Sequence, residues 1–520
     1  MHSTQEHAVG GVSAASGISR RQLLIGAGGL AGAAVVGGAA FEIVNQLGGG
    51  ITPTLRSFPV RPSGDVRDFH TRPDLKPPTI SLTGAKPVDD GLMFLGPWAS
   101  GGDQPGPLVV DQQAEPVWFK PVDPNPGISS QWGTNFKPWE YRGKAVLAWW
   151  EGHVNHNGLG VGEGVVMDSS YREVARIRAA NGLDMDLHEL RLTPEGTALF
   201  TCYPRRLPFD LSPIGGPRDG HILESVIQEV DVRTGRLLME WRSLDHIPVT
   251  DSYHPAKDEL DYVHINSIDF APDGNLLVSG RHTWALYKLD RRTGHVIWTL
   301  GGKQSDFDMG KGAQMAWQHD AKQQTPSTIS LFDNGSNGPI NTKTRSRGIV
   351  LKVDESGRKV TLAQEYRHPT PLLAVAMGSV QTLPSGHVLV GWGTEPYVSE
   401  FTADGSKVLG DARLLSGYKS YRAFRVPWQG IPQNAPDVSV SRSKLTGKAT
   451  VYVSWNGATD VAAYWQVHAG SRARDLRTIG VASRRGFETA IPLPASGGHF
   501  AVTALDEDGS RMATSRTVSL

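Results

Sequence analysis

Three histidines hold equivalent places in successive segments of this 520-residue chain. Leu187-His188-Glu189, Val263-His264-Ile265 and Gln318-His319-Asp320 each stand just ahead of a short apolar run. Imidazoles brought together repel one another once protonated, so three in one phase call for a shared task. Taken singly, each could simply hydrogen-bond a neighbouring strand. Asn266, two residues past His264, shares its face if the segment is a strand. Arg281 follows the next apolar run and offers a planar fork of donors suited to a phosphate-like or sulfate-like anion. Two chemistries fit these residues. Neutral His188, His264 and His319 could hold a metal with its fourth position open. Alternatively, one imidazole attacks an anionic ester while the others donate hydrogen bonds and move protons. Arg281 repels a cation and favours the second, with no metal. The corresponding place in the following segment reads Met377-Gly378-Ser379, which supplies the Ser379 hydroxyl as a candidate substrate contact.

The elements that must position these side chains repeat. Residues 261–302 contain four short β-type runs separated by Pro272-Asp273-Gly274 and by Asp290-Arg-Arg-Thr-Gly294, the pattern of a four-stranded antiparallel sheet with tight turns. The last turn recurs at 109–118, 166–175, 229–241, 288–298, 352–362 and, more loosely, 400–409, with Asp111, Asp168, Asp231, Asp290, Asp354 and Thr402 in register. A sheet this small cannot bury both faces by itself. Self-similar β units repeated along a chain predict radial stacking, an all-β six-bladed β-propeller over 91–430 in which the histidines sit on the first strand of their blades, facing the axis.

The flanks differ. Ser19-Arg20-Arg21-Gln22-Leu23-Leu24 precedes a Gly/Ala-rich apolar stretch, so residues 1–45 read as a twin-arginine export signal delivering a folded protein to the cell envelope or beyond. If the signal is retained, residues 23–44 form a membrane attachment. Residues 46–90 are Pro/Gly-rich and extended. Residues 437–520 lack the repeat, and their alternating strands resemble a fibronectin type III β-sandwich. With 52 basic and 52 acidic residues there is no electrostatic case for a nucleic-acid partner. The single cysteine, Cys202, rules out an intramolecular disulfide and makes thiolate metal chemistry improbable.

The segments WTLGG, WQHDA (317–321), LFDNGSN (331–337), DYVHINSI, SGRH (279–282), DLHEL and SYRAFRVPWQGIP (420–432) resemble, in order and spacing, the arylsulfate sulfotransferase superfamily. The resemblance spans most of 93–432 and implies a six-bladed propeller. It implies transfer of a sulfuryl group from an aryl sulfate donor to a phenolic acceptor, without a nucleotide sulfate donor or other cofactor. It implies His319, in the Gln-His motif, as the nucleophile that becomes a sulfohistidine, with His188, His264, Asn266 and Arg281 around it. The absence of any G-x-x-x-x-G-K-[ST] loop agrees with a nucleotide-independent reaction. The chain departs from the best-studied branch: its sandwich is C-terminal, the cysteine pair near the nucleophile is missing, and Ser379 stands where a threonine is expected. A metal-dependent hydrolase or lyase and a non-catalytic binding propeller stay open as alternatives.

Overall fold

The recurring Asp dictates the recurring hairpin. The side chain of Asp290 accepts the backbone N–H groups of Arg292 and Thr293. Asp231 does the same for Thr234, Asp168 for Ser170 and Arg172, Asp354 for Gly357, and Asp111 for Gln113 and Glu115. These carboxylate-capped turns close a hairpin without help from the partner strand. In the loosest repeat Thr402 stands at the Asp position, and Asp404 takes over, accepting from the Thr402 hydroxyl (2.6 Å) and the Ser406 N–H (3.1 Å).

In the computed structural model, described for residues 52–85, 87–99, 104–122, 131–155, 157–493 and 498–520, the chain is all-β with only short 3-10 turns. The export-signal region lies outside the described residues, among which no helix is long and apolar enough to cross a membrane. Six sheets follow one another, antiparallel except for a two-residue edge strand, Asp308–Met309, that runs parallel to Lys359–Tyr366. Their innermost strands are Lys419–Val426, Gln131–Tyr141, Leu190–Leu192, Ile265–Phe270, His319–Thr325 and Ser379–Thr382. The strand Lys419–Val426 pairs with Leu92–Trp98, so the end of the repeat region completes the sheet begun at its start. A small extra sheet, which includes a parallel pair, joins Arg205–Phe209, Gly220–Leu223 and Glu259–Asp261.

The apolar core is divided among the gaps between neighbouring sheets. Phe94, Trp118, Phe136 and Trp149 fill the first gap, and Trp150, Leu190, Phe200 and Val226 the next. Leu199, Ile227, Ile265 and Tyr287 follow, then Leu277, Trp298, Leu331 and Ile349. Phe332, Tyr366, Val390 and Trp392 come next, and Met93, Leu108, Leu389 and Leu414 bring the cycle back to the first sheet. Each sheet is thereby buried on both faces. Trp149, Trp150 and Trp392 are fully buried and serve this packing, whereas the equally buried Trp317 packs against His282 and Trp284.

Residues 437–520 form two further sheets enclosing Trp455, Trp465, Val451 and Phe500. The extended N-terminal segment is tied to both parts. Phe58–Pro59 adds an edge strand beside Glu488–Pro492, and Ile80–Gly84 extends the sheet that starts at Ser379.

The inner ends of the sheets are joined by a buried ion network. Arg422, on the closing strand, donates to Glu189 (3.0 Å), to the Asn135 side chain (2.8 Å) and to the Asn266 carbonyl (2.8 Å), and stands 3.2 Å from Asp320. Burial alone would push Glu189 up, but Arg422 and Lys322 overcome it and hold the carboxyl at about 2. Arg422→Leu leaves two buried carboxylates with Lys322 as their one remaining cation at ion-pair distance among the described residues. We expect a loss of about 3–5 kcal/mol in denaturant unfolding, with Asp269→Asn, in a neighbouring pair on the same strands, costing less.

Candidate active site

The inner strands reach the axis through a shared backbone defect. Their ladders slip by one residue between Thr134 and Lys137, between Ile265 and Ser267, and between His319 and Lys322. Asn135 and Asp320 at two of these places have left-handed φ of 58° and 53°, and His264, just ahead of its slip, has 55°. Asn, His and Asp are the non-glycine residues that tolerate this region best. Such bulges re-aim side chains, and here they break the simple alternation expected for Asn266. Asn266 is the extra residue of its bulge, and its amide donates to the Gln318 carbonyl (2.7 Å), bracing the backbone next to His319.

His188 and His264 meet edge to face, with Nε2 atoms 3.0 Å apart. The Nδ1 of His188 lies 2.6 Å from Asp186, and that of His264 lies 2.5 Å from Asp261. Each Nδ1 contact therefore holds one proton. Two bare Nε2 lone pairs cannot face each other at 3.0 Å, so a third proton lies between the rings. Burial pushes the Asp261 carboxyl up, while burial and the neighbouring His188 push His264 far down. Wherever each proton rests, Asp186–His188–His264–Asp261 carries three, with one net negative charge.

His319 is held differently. The Asn334 amide donates to the carbonyls of Ala374 (2.9 Å) and Met377 (3.0 Å), which turns its Oδ1 toward His319 Nδ1 at 2.7 Å. The network assigns the Nδ1–H tautomer and leaves an in-plane lone pair on Nε2, which accepts only the Met377 N–H (3.1 Å). Burial and then the Arg281 charge keep this imidazole far below its ordinary range, hence neutral. The ring of Tyr421 stands 5.9 Å from His188 and 6.4 Å from His319 and spaces the nucleophile candidate from the proton-sharing pair.

Arg281 has no carboxylate partner at ion-pair distance among the described residues. It contacts His282 Nε2 (2.6 Å) and the Val375 carbonyl (2.9 Å), lies over Trp317, and keeps its Nε unpartnered. Burial brings its pKa down to about 10, so it stays cationic at neutral pH. A guanidinium with no carboxylate at ion-pair distance has the donor geometry to receive an anion.

The structure brings His188, His264, Asn266, Arg281 and His319 into one neighbourhood. Ser379 is a correction: its hydroxyl accepts the Ala423 N–H (3.0 Å) and donates to the Ala423 carbonyl (3.2 Å), so it ties two inner strands together. Asn334, which reads as a turn residue in Asp333-Asn334-Gly335, instead orients His319. The three histidines do not converge on one point, because His319 Nε2 faces the Met377 N–H. Asp261, His264 and His282 lie close enough to hold an ion, but Asp261 is bonded to His264, and His282 Nδ1 contacts the Asp261 carbonyl at 2.5 Å. Sequence reasoning passed over Asp186 and Asp261, although both precede their histidines by two or three residues. Asking what fixes each Nδ1 would have found them.

A family model described as arylsulfotransferase (ASST) matches residues 137–413, over half of the chain. No curated protein matches it. Among solved structures, a protein of unknown function from Bacteroides caccae is similar at 12% identity and TM-score 0.40, over 65% of this chain and 99% of that one. A streptogramin B lyase is similar at 12% identity and TM-score 0.34, over 72% of this chain and 94% of that one. Virginiamycin B lyase from Staphylococcus aureus is similar at 10% and 0.31, over 80% and 99%. Scores this low say nothing of the site.

The buried imidazoles set an acid limit. His282 and His319 are held below their ordinary pKa, so below pH about 6.5 the unfolded chain binds protons that the folded chain refuses. Stability should fall as pH drops from 7.5 to 5.5, by up to about 1.4 kcal/mol per pH unit for each such group. Urea unfolding across this range measures it. A His319→Gln variant should show a slope shallower by up to one proton, and an unchanged slope would contradict a neutral buried His319.

Proposed function

The chain belongs to the arylsulfotransferase family, and from that membership we propose that it moves a sulfuryl group from an aryl sulfate to a phenol by way of a sulfohistidine at His319. The observation that carries the reading is the Asn334-fixed tautomer of His319, which makes Nε2 the attacking atom. The Nε2 lone pair attacks sulfur in line with the aryl oxygen, the S–O bond breaks, and the phenolate takes the proton held between His188 and His264. The acceptor phenol then returns a proton to that pair, its oxygen attacks sulfur, and the S–N bond breaks to restore Nε2.

Arg281 holds the sulfuryl oxygens. The Met377 N–H, released from Nε2 as that atom bonds sulfur, turns to them as a further donor, and the second N–H of the Asn266 amide is a third. Neutral Asn334 at Nδ1, in place of a carboxylate, keeps the imidazole a weak enough base to leave again. On the same reading the six sheets of 91–430 are the blades of a propeller, 437–520 is a fibronectin III-like sandwich, and the twin-arginine pair at 20–21 exports the folded chain. A three-histidine metal centre is the less favoured reading, because His319 Nε2 faces the Met377 N–H while the other two Nε2 atoms face each other.

Mass spectrometry of protein treated with a chromogenic aryl sulfate tests this directly. We expect one sulfuryl adduct on His319, absent from His319→Ala, with the thermal melt retained. Arg281→Ala should still form the adduct, about 10²–10³-fold more slowly, the usual cost of one preorganised donor. An adduct on another residue, or its survival in His319→Ala, overturns the assignment.

A further inference from the structure

A second group of cations occupies the other end of the same inner strands. A few residues beyond the histidine level lie Lys137, Arg191, Lys322 and Arg422, facing the carboxylates Glu189, Asp269 and Asp320. Arg191 is paired with Asp269 at 2.6 Å, and Arg422 with Glu189 and Asp320 at 3.0 and 3.2 Å. Lys322 stands 3.4 Å from Asp320 and 3.7 Å from Glu189, carboxylates that Arg422 already holds. Four cations thus meet three anions, and Lys137 is left over. Its ammonium has no carboxylate at ion-pair distance among the described residues. It lies instead 4.0 Å from the centre of the Trp139 ring and 4.7 Å from that of Phe424. Beside it the Trp139 Nε1–H is buried with no acceptor.

Unsatisfied buried donors are costly, and they persist where something supplies the acceptor. We propose that this end of the axis is a binding site for a small tetrahedral oxyanion, sulfate or phosphate, held by the Lys137 ammonium and the Trp139 indole N–H with Lys322 and Arg191 behind them. The site is separate from His319 and Arg281 and does not depend on the sulfuryl-transfer reading. Its geometry explains why like charges are gathered here: Lys322 and Arg191 add to burial in bringing the Lys137 amine down to about 7, against the pull of Glu189 and Asp320. A bound dianion would reverse that balance, so binding above neutral pH should draw a proton onto Lys137.

Isothermal titration of the full chain with sodium sulfate, and separately with inorganic phosphate, at constant ionic strength and pH 8 tests the site, with acetate as a control. Arg281→Ala removes the anion donor of the active site and leaves this one intact. We expect that variant to bind one oxyanion, with proton uptake revealed by comparing buffers of different ionisation enthalpy. Adding Lys137→Met should weaken binding at least tenfold and abolish the proton uptake, and Trp139→Phe should weaken it severalfold with the uptake preserved. Unchanged binding in the Arg281→Ala/Lys137→Met protein, confirmed folded by its melt, overturns the proposal, as does the absence of any binding in Arg281→Ala alone. If only one of sulfate and phosphate binds, the site stands and the ion is identified. A protein that transfers no sulfuryl group yet binds through Lys137 retains this site, and an active one without such binding loses it.

Discussion

Two imidazole nitrogens 3.0 Å apart require a proton between them, and much of the centre follows from that requirement. The proton on the His188–His264 pair is kept only because Asp186 and Asp261 anchor the outer nitrogens of both rings. Asp186 is itself fixed by the backbone N–H groups of Gly160 (2.7 Å) and His188 (2.8 Å), so it is tied to two sheets. If the proton leaves, two lone pairs oppose each other in a medium of low dielectric, which drives its recovery. A pair built this way is a proton store that resets itself.

The third imidazole shows the opposite choice at the same ring position. A carboxylate at Nδ1 strengthens a histidine as a base, whereas a neutral amide fixes its tautomer without that increase. Asn334 gives His319 orientation alone, and its remaining hydrogen bonds to Ala374 and Met377 prevent it from flipping. On the proposed mechanism the partner of each Nδ1 divides the roles: Asp where a proton is to be carried, Asn where a bond to the ring is to form and break.

The repeat was legible in the sequence because its cause is local. An Asp that caps its own turn leaves the same mark in nearly every sheet, and even the Thr402 exception is understood once Asp404 is seen to replace it. The phase of His188, His264 and His319 was legible because each stands about nine to twelve residues ahead of the second strand of its sheet. What escaped detection depends on contacts across sheets. Asn266 was assigned a direction by alternation that its bulge cancels. Ser379 looked like a pocket hydroxyl and proves to tie its strand to Ala423, just as Ser267 receives the Ala321 N–H two sheets earlier. Asn334 carries a turn signature because it does sit at a turn, and only the neighbouring sheet shows what its side chain holds.

The charges along the axis explain why these cross-sheet contacts are so demanding. Arg422 lies between the two ends and is neutralised by Glu189 and Asp320, so the middle of the axis holds no free charge. Arg281 on one side and Lys137 on the other are each left without a carboxylate. Burying a lone cation costs several kcal/mol, a cost that Lys137 lowers by releasing its proton more readily. The expense is understandable where the missing counter-charge arrives from solution, because fixed cations in a low-dielectric recess focus the field and draw anions inward. A carboxylate built in beside Arg281 would remove the folding penalty, but it would also occupy the position an incoming sulfate ester needs. On the proposed reading the absence of an internal partner lets the axis select for negative charge, and the neutral His319 beside Arg281 adds no competing positive charge.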